Sequence, residues 1–128
     1  MYKLMVSSSF AAAHQLRGYA GKCESLHGHN WRVQLYVTAE KLNEIGLALD
    51  FKDIKKCLHN VLQTLDHTNL NTLPPFQDRN PSSENIARYL FEQVSGELAQ
   101  GEVEGSSMQV ASVRVWESDN AYAEYYIR

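Results

Sequence analysis

The stretch Cys23-Glu24-Ser25-Leu26-His27-Gly28-His29-Asn30 gathers a thiol, a carboxylate and two imidazoles within eight residues. Successive side chains of a strand point to opposite faces, so a strand starting near His27 puts His27 and His29 on one side, where both can reach a single ion. The following residues suit such a strand. Trp31, Val33, Leu35 and Val37 prolong the histidine face as an apolar row, while Asn30, Arg32, Gln34 and Thr38 alternate onto the other face. The pair is therefore expected at the end of a buried face.

Upstream, Tyr2, Leu4, Val6, Phe10, Ala12 and His14 share one parity, as in a first strand whose apolar face also ends in a histidine. Residues 17–21 form a glycine-containing loop leading to Cys23. An antiparallel pairing of Tyr2–His14 with His27–Ala39 across that loop brings His14 to His27 and His29.

Downstream, 43–48 read as a turn carrying Gly46, and Asp50 stands where a helix N-cap is needed. Ile54, Leu58, Val61, Leu62 and Leu65 make one apolar stripe of a first helix. Cys57 borders that stripe and reads as a small packed hydrophobe. The pattern stops at Leu65, so Asp66 and His67 fall just past the carboxyl end, where the helix terminus favours a protonated imidazole. A loop over 69–80 contains Pro74 and Pro75. A second helix is announced by Pro81, Ser82 and Ser83, one serine capping it, with Glu84 in its first turn and Ile86, Leu90, Val94 and Leu98 as its stripe. After a polar loop over 101–107, strand-like runs at 108–117 and 121–127 are joined by Ser118-Asp119-Asn120 as a hairpin turn. The order predicts an α+β fold, a four-stranded antiparallel sheet with two helices on one face. Its two open edges favour self-association over a monomer.

The 128 residues suit a single domain spanning 1–128, able to bury roughly two thirds of its unfolded surface. A net charge of −3 gives no electrostatic case for nucleic acid, whose binding relies on neutralising phosphates. No apolar run approaches the roughly 18 residues of a membrane span, and no secretion signal is seen. The expectation is a soluble, cytoplasmic protein with Cys23 and Cys57 as free thiols.

Three neutral imidazoles without a fourth protein ligand is the pattern of a catalytic zinc, its open position kept for water or substrate. The same spacing also suits a core His14 unrelated to a solvated His27 and His29. A metal near Cys23 would lower the thiol pKa and supply thiolate as a base, against the alternative of a buried inert cysteine. Asp66 and His67 can act as a proton-transfer dyad, or simply turn the chain after a helix. Glu117 shares the parity of Val113 and Val115 and ends that row, a place to accept a paired set of N–H donors or merely to be solvated.

These pieces together resemble the 6-pyruvoyl-tetrahydropterin and 6-carboxytetrahydropterin synthase family along nearly the whole chain. Phe10-Ala11-Ala12-Ala13-His14 looks like its first zinc motif, and Cys23 to Asn30 like its Cys-x-x-x-His-Gly-His-Asn motif. The run Leu65-Asp66-His67-Thr68-Asn69-Leu70-Asn71, the helix start Pro81-Ser82-Ser83-Glu84-Asn85 and the strand end Trp116-Glu117 are similar to further family segments. The resemblance implies the tunnelling fold, in which trimers close four-strand units into a barrel and two trimers stack as a homo-hexamer with sites at subunit interfaces. It implies Zn2+ on His14, His27 and His29, Cys23 as base, Asp66 with His67 as proton relay, Glu117 as pterin anchor, and Ser82 and Ser83 as substrate contacts. Ser82 departs from the usual Thr, which puts one methyl contact in doubt but not the hydroxyl. The short spacing from Cys23 to His27 is that of members forming 6-carboxytetrahydropterin from 7,8-dihydroneopterin triphosphate on the route to queuosine. Pyruvoyl-forming members tend to a longer insert, and Glu24 looks like the variant group that yields 6-hydroxymethyldihydropterin. A zinc-bearing pterin-binding module is the non-enzyme alternative, and it would need none of Cys23, Asp66 and His67.

Overall fold

Two thirteen-residue strands, β1 (Tyr2–His14) and β2 (His27–Ala39), pair antiparallel over their full length, from Tyr2 against Ala39 to His14 against His27. The computed structural model describes residues 1–21, 24–100 and 108–128; Lys22, Cys23 and the polar loop expected over 101–107 lie outside the described residues. Strand β4 (Gln109–Ser118) pairs antiparallel with β2, and β5 (Ala121–Tyr126) with β4. The expected four strands are present, together with a fifth. The two-residue strand β3 (Thr68–Asn69) runs parallel to β1 beside Ala12 and Ala13, giving the order β3-β1-β2-β4-β5.

Helix α1 (Phe51–Leu62) starts as the sequence predicts, with the Asp50 carboxylate accepting the Lys52 N–H at 2.9 Å. It ends three residues before Leu65, yet Leu65 is fully buried because the turn after the helix carries the apolar stripe onward. Helix α2 (Ser83–Gln100) is capped by Ser82, whose hydroxyl oxygen accepts the Asn85 N–H at 3.1 Å. Both helices join one core with the sheet face that bears Val6, Phe10, Trp31, Val33, Leu35, Val113 and Val115. Burial of these alternate positions removes apolar surface from water, the main favourable term in folding. On the opposite face the strands carry cations capped by rings. The Arg32 guanidinium lies 4.4 Å above Trp116, and that of Arg114 lies 4.9 Å from both Tyr36 and Tyr122 while pairing with Glu124 at 3.0 Å. No helix among the described residues is long and apolar enough to cross a membrane.

Trp31 joins the core to the histidine end of the sheet. It is fully buried, stacks on Phe10 with centroids 5.9 Å apart, and donates its indole N–H to the Ala12 carbonyl at 3.2 Å. Trp31→Ala removes the largest fully buried side chain and is expected to cost about 3–5 kcal/mol. Trp31→Phe, which keeps ring bulk but removes the indole donor to the Ala12 carbonyl, should cost about 0.5–1.5 kcal/mol. Urea denaturation of the metal-free protein measures both, and an unchanged midpoint in the alanine variant would contradict this packing.

Candidate active site

The β1–β2 register sets His14 opposite His27 and Ala12 opposite His29. His14 is only 2% exposed, and the three rings meet edge to face with centroids 4.7 Å (His14–His27), 5.2 Å (His14–His29) and 4.7 Å (His27–His29) apart. Trp31 forms their floor, 4.8 Å from the His14 ring and 5.1 Å from that of His29.

Hydrogen bonds at the outer nitrogens decide the state of the inner ones. His14 Nδ1 lies 2.7 Å from the Pro81 carbonyl and His27 Nδ1 lies 2.8 Å from that of Ser25. A carbonyl can only accept, so each Nδ1 carries the proton, and each neutral ring presents a lone pair at Nε2. Those two Nε2 atoms face one another at 3.2 Å. Facing lone pairs repel unless a proton or cation lies between them. The buried Nε2 of His29 has no hydrogen-bond partner; Glu117 Oε1 is 3.0 Å away but out of hydrogen-bond alignment. Burial holds the His29 imidazole below its ordinary pKa, opposed by Glu117 and Glu24 and reinforced by His14 and His27, which favours the neutral, ligating form. One ligand atom from each of His14, His27, His29 and Glu117 lies within 4.8 Å of the others. Three imidazole nitrogens fit a divalent cation such as zinc, with the Glu117 carboxylate beside them.

Glu117 is aimed by a bulge. Trp116 pairs with Tyr122 and Ser118 with Ala121, so Glu117 is the extra residue on β4, a device that redirects a side chain at a sheet rim. Its Oε2 accepts a hydrogen bond from the Ser83 hydroxyl at 3.3 Å, linking the first residue of α2 to the histidine cluster. The two serines thus divide their work: Ser82 caps the helix and Ser83 holds Glu117. The Ser82 hydroxyl proton is left over for another acceptor.

Glu24 is fixed in place. Its Oε1 accepts the Leu16 N–H at 3.2 Å and its own N–H donates to the Leu16 carbonyl at 3.0 Å, closing the base of the loop between them. The same Oε1 stands 4.0 Å from His27 Nε2. Cys23, the next residue toward the N-terminus, lies outside the described residues.

Asp66 and His67 do form a pair, with Asp66 Oδ2 3.0 Å from His67 Nδ1. The pair is bound to the edge of β1: Asp66 Oδ1 accepts the Ala11 N–H at 2.9 Å, and the His67 N–H donates to the Ala11 carbonyl at 2.6 Å. His67 has a left-handed backbone, φ 58°, and an 82% exposed side chain. Neither residue belongs to the His14–His27–His29–Glu117 cluster, so within one chain the structure assembles the dyad and the metal ligands separately. Sequence reasoning missed the Pro81 and Ser25 carbonyls, since every residue has a carbonyl and only the fold picks these two.

The family model described as 6-pyruvoyl tetrahydropterin synthase matches residues 3–128. The chain belongs to this family. It is 34% identical over 131 aligned residues to the 6-carboxy-5,6,7,8-tetrahydropterin synthase of Synechocystis, covering 98% of this chain and 94% of that one. It is 33% identical over 96 residues to the dihydroneopterin monophosphate aldolase of Pyrococcus furiosus, covering 75% of this chain and 77% of that one. The fold superposes on the 6-pyruvoyl tetrahydropterin synthase of Caenorhabditis elegans with a TM-score of 0.79 at 24% identity, over 99% of this chain and 96% of the other.

For this tetrahydropterin synthase family member, we expect one divalent ion per folded chain, and His14→Ala, His27→Ala or His29→Ala each to lose most of it. Elemental analysis after gel filtration tests this; full occupancy in any variant removes that histidine from the ligand set. A second expectation concerns acid. The backbone N–H of Ala11, aided by His67, holds the Asp66 carboxyl below its ordinary pKa despite its desolvation. A depressed folded pKa gives stability present above the unfolded value, about 3.9, and lost as pH falls through the folded one. Asp66→Asn keeps an oxygen for Ala11 but not the charge. The stability gap between wild type and Asp66→Asn should hold steady near neutrality and close below about pH 4; a gap that persists in acid would contradict it.

Proposed function

We propose that the protein is a zinc-dependent lyase that converts 7,8-dihydroneopterin triphosphate to 6-carboxy-5,6,7,8-tetrahydropterin, releasing acetaldehyde and triphosphate, and that it serves queuosine formation in the cytoplasm. One observation carries the reading: three imidazoles turn ligating nitrogens toward one point, with the Glu117 carboxylate held beside it. Family membership and the name of the Synechocystis relative support the substrate class.

Zinc, when bound by His14, His27 and His29, supplies a Lewis acid for the hydroxyls of the substrate side chain. Cys23, as thiolate, removes a carbon-bound proton. Glu117 accepts the amino group and ring N–H of the pterin, a side-by-side pair that one carboxylate can take together. Ser83 keeps the second Glu117 oxygen turned inward, and the Ser82 hydroxyl can donate to the ring. His67, oriented by Asp66, returns the proton. Because that dyad sits exposed on the edge of β1, it reaches substrate from a neighbouring subunit, which favours a homo-hexamer of two stacked trimers with sites at subunit interfaces.

A second reading has a specific observation behind it. Glu24 is clamped 4.0 Å from His27, which suits a carboxylate base cleaving the same side chain to 6-hydroxymethyldihydropterin, and the Pyrococcus relative bears an aldolase name. Formation of 6-pyruvoyltetrahydropterin is the remaining enzyme alternative.

Incubation with the triphosphate followed by mass identification of the pterin decides among them. The expected product is 6-carboxytetrahydropterin. Cys23→Ala should lower its formation about 10²–10⁴-fold with zinc retained, and Glu117→Gln should weaken pterin binding with zinc retained. 6-Hydroxymethyldihydropterin as main product, abolished by Glu24→Ala, would replace this reading with the second. A Cys23→Ala enzyme at wild-type rate would remove the thiolate from the mechanism.

A further inference from the structure

Arg17 lies outside the metal-ligand cluster, yet its side chain and backbone are engaged with one short segment. Its Nε donates to Asn80 Oδ1 at 3.2 Å, Nη1 to the Gln77 carbonyl at 2.8 Å, and Nη2 to the carbonyls of Phe76 and, at 2.8 Å, Arg79. The Arg17 backbone completes the clasp, its N–H donating to Asn80 Oδ1 and its carbonyl accepting from Asn80 Nδ2, both at 2.9 Å. Asn80 is also tied forward, its carbonyl accepting from Asn85 Nδ2 at 2.9 Å in the first turn of α2.

What this clasp immobilises is the chain just before Pro81, and the Pro81 carbonyl is the acceptor that fixes the His14 Nδ1 proton at 2.7 Å. The guanidinium meets neutral oxygens here. Its planar set of donors is the means by which one side chain can gather three carbonyls of one short segment and an amide, a geometry that a lysine cannot reproduce. Phe76, 1% exposed, holds one end of the segment in the core, and the Ser82 cap holds the other. Between them, the Arg17–Asn80 clasp holds the residue immediately before Pro81.

We propose that Arg17 is a positioning residue for the metal site: by clasping residues 76–80 it aims the Pro81 carbonyl, which sets the tautomer and ring direction of His14. The inference rests on the reading of His14 as a metal ligand, but it makes a claim that can be tested without metal. Loss of a partner that orients a ligating histidine typically lowers metal affinity 10–100-fold. Acting through one intervening carbonyl, Arg17 should have an effect of about 10-fold.

The test uses Arg17→Ala and Arg17→Lys in the full chain. In metal-free wild type, the His14 Nδ1 proton should give a downfield, slowly exchanging proton resonance, identified by its absence in His14→Ala. In Arg17→Ala this resonance should broaden or vanish while the Trp31 indole resonance persists, and zinc affinity, read by competition with a chromophoric chelator, should fall about 10-fold. Arg17→Lys should fall between the two. A folded Arg17→Ala protein with an unaltered His14 resonance and wild-type affinity overturns the proposal. Should Arg17→Ala fail to fold, Arg17→Lys carries the same readouts, and wild-type values in it overturn the proposal equally. Wild type that binds no zinc refutes the metal reading instead, and the His14 resonance still decides the role of Arg17.

Discussion

The antiparallel register of β1 against β2 is the constraint on which core and site both depend. Side chains along a strand alternate with a period of two, so a slip of one residue would carry His27 and His29 to the outer face together with the whole row from Trp31 to Val37. The hydrophobic cost of exposing that row therefore also protects the convergence of the imidazoles. The link is physical at Trp31, which fills the core with one side of its ring system, bonds back to the carbonyl of Ala12, and lies against two of the three histidines. Misplacing the site requires unmaking the core.

Within that frame the histidine cluster is electrostatically unfinished. The outer nitrogens of His14 and His27 are committed to backbone carbonyls, the inner ones confront each other, and that of His29 is buried without a hydrogen-bond partner. Polar atoms in such a setting usually find a partner, and unsatisfied ones mark places where a fold serves something other than its own stability. Carboxylates stand at the rim of this nitrogen-rich centre: Glu117 is pinned by Ser83, and Glu24 by the backbone of Leu16. A cation is favoured on both counts.

Much of this was legible in the residues because period and parity are properties of sequence. Two long strands, two striped helices, the Asp50 cap and a C-terminal hairpin follow from spacing alone, whereas the meeting of His14 with His27 and His29, which spacing left open, is decided by the pairing of β1 with β2. The rest depends on atoms that every residue shares, or on geometry set by distant chain. Strand β3, at two residues, is too short to show a period. The bulge that aims Glu117 exists only in the pairing of β4 with β5. Parity placed Glu117 at the end of a buried row, but its proximity to His29 comes from β2 lying beside β4. The anchoring of Glu24 is invisible in sequence because the Leu16 N–H that holds it is eight positions away in a loop closure with no periodic signal. The Asp66–His67 pair was recognisable as a pair, while its attachment to the edge of β1 needed the third dimension.

His67 carries a further consequence through its backbone. A non-glycine residue in the left-handed region costs roughly 1–2 kcal/mol relative to ordinary conformations, and glycine is free of that penalty. Here the conformation is enforced by the bond from the His67 N–H to Ala11 and by the immediate start of β3 at the next residue. The chain thus carries an imidazole at a position whose backbone conformation glycine would adopt without that penalty. Under the proton-relay role proposed for this ring, backbone preference and chemistry pull in opposite directions at one residue, whereas at the buried His14, in a regular strand, they do not.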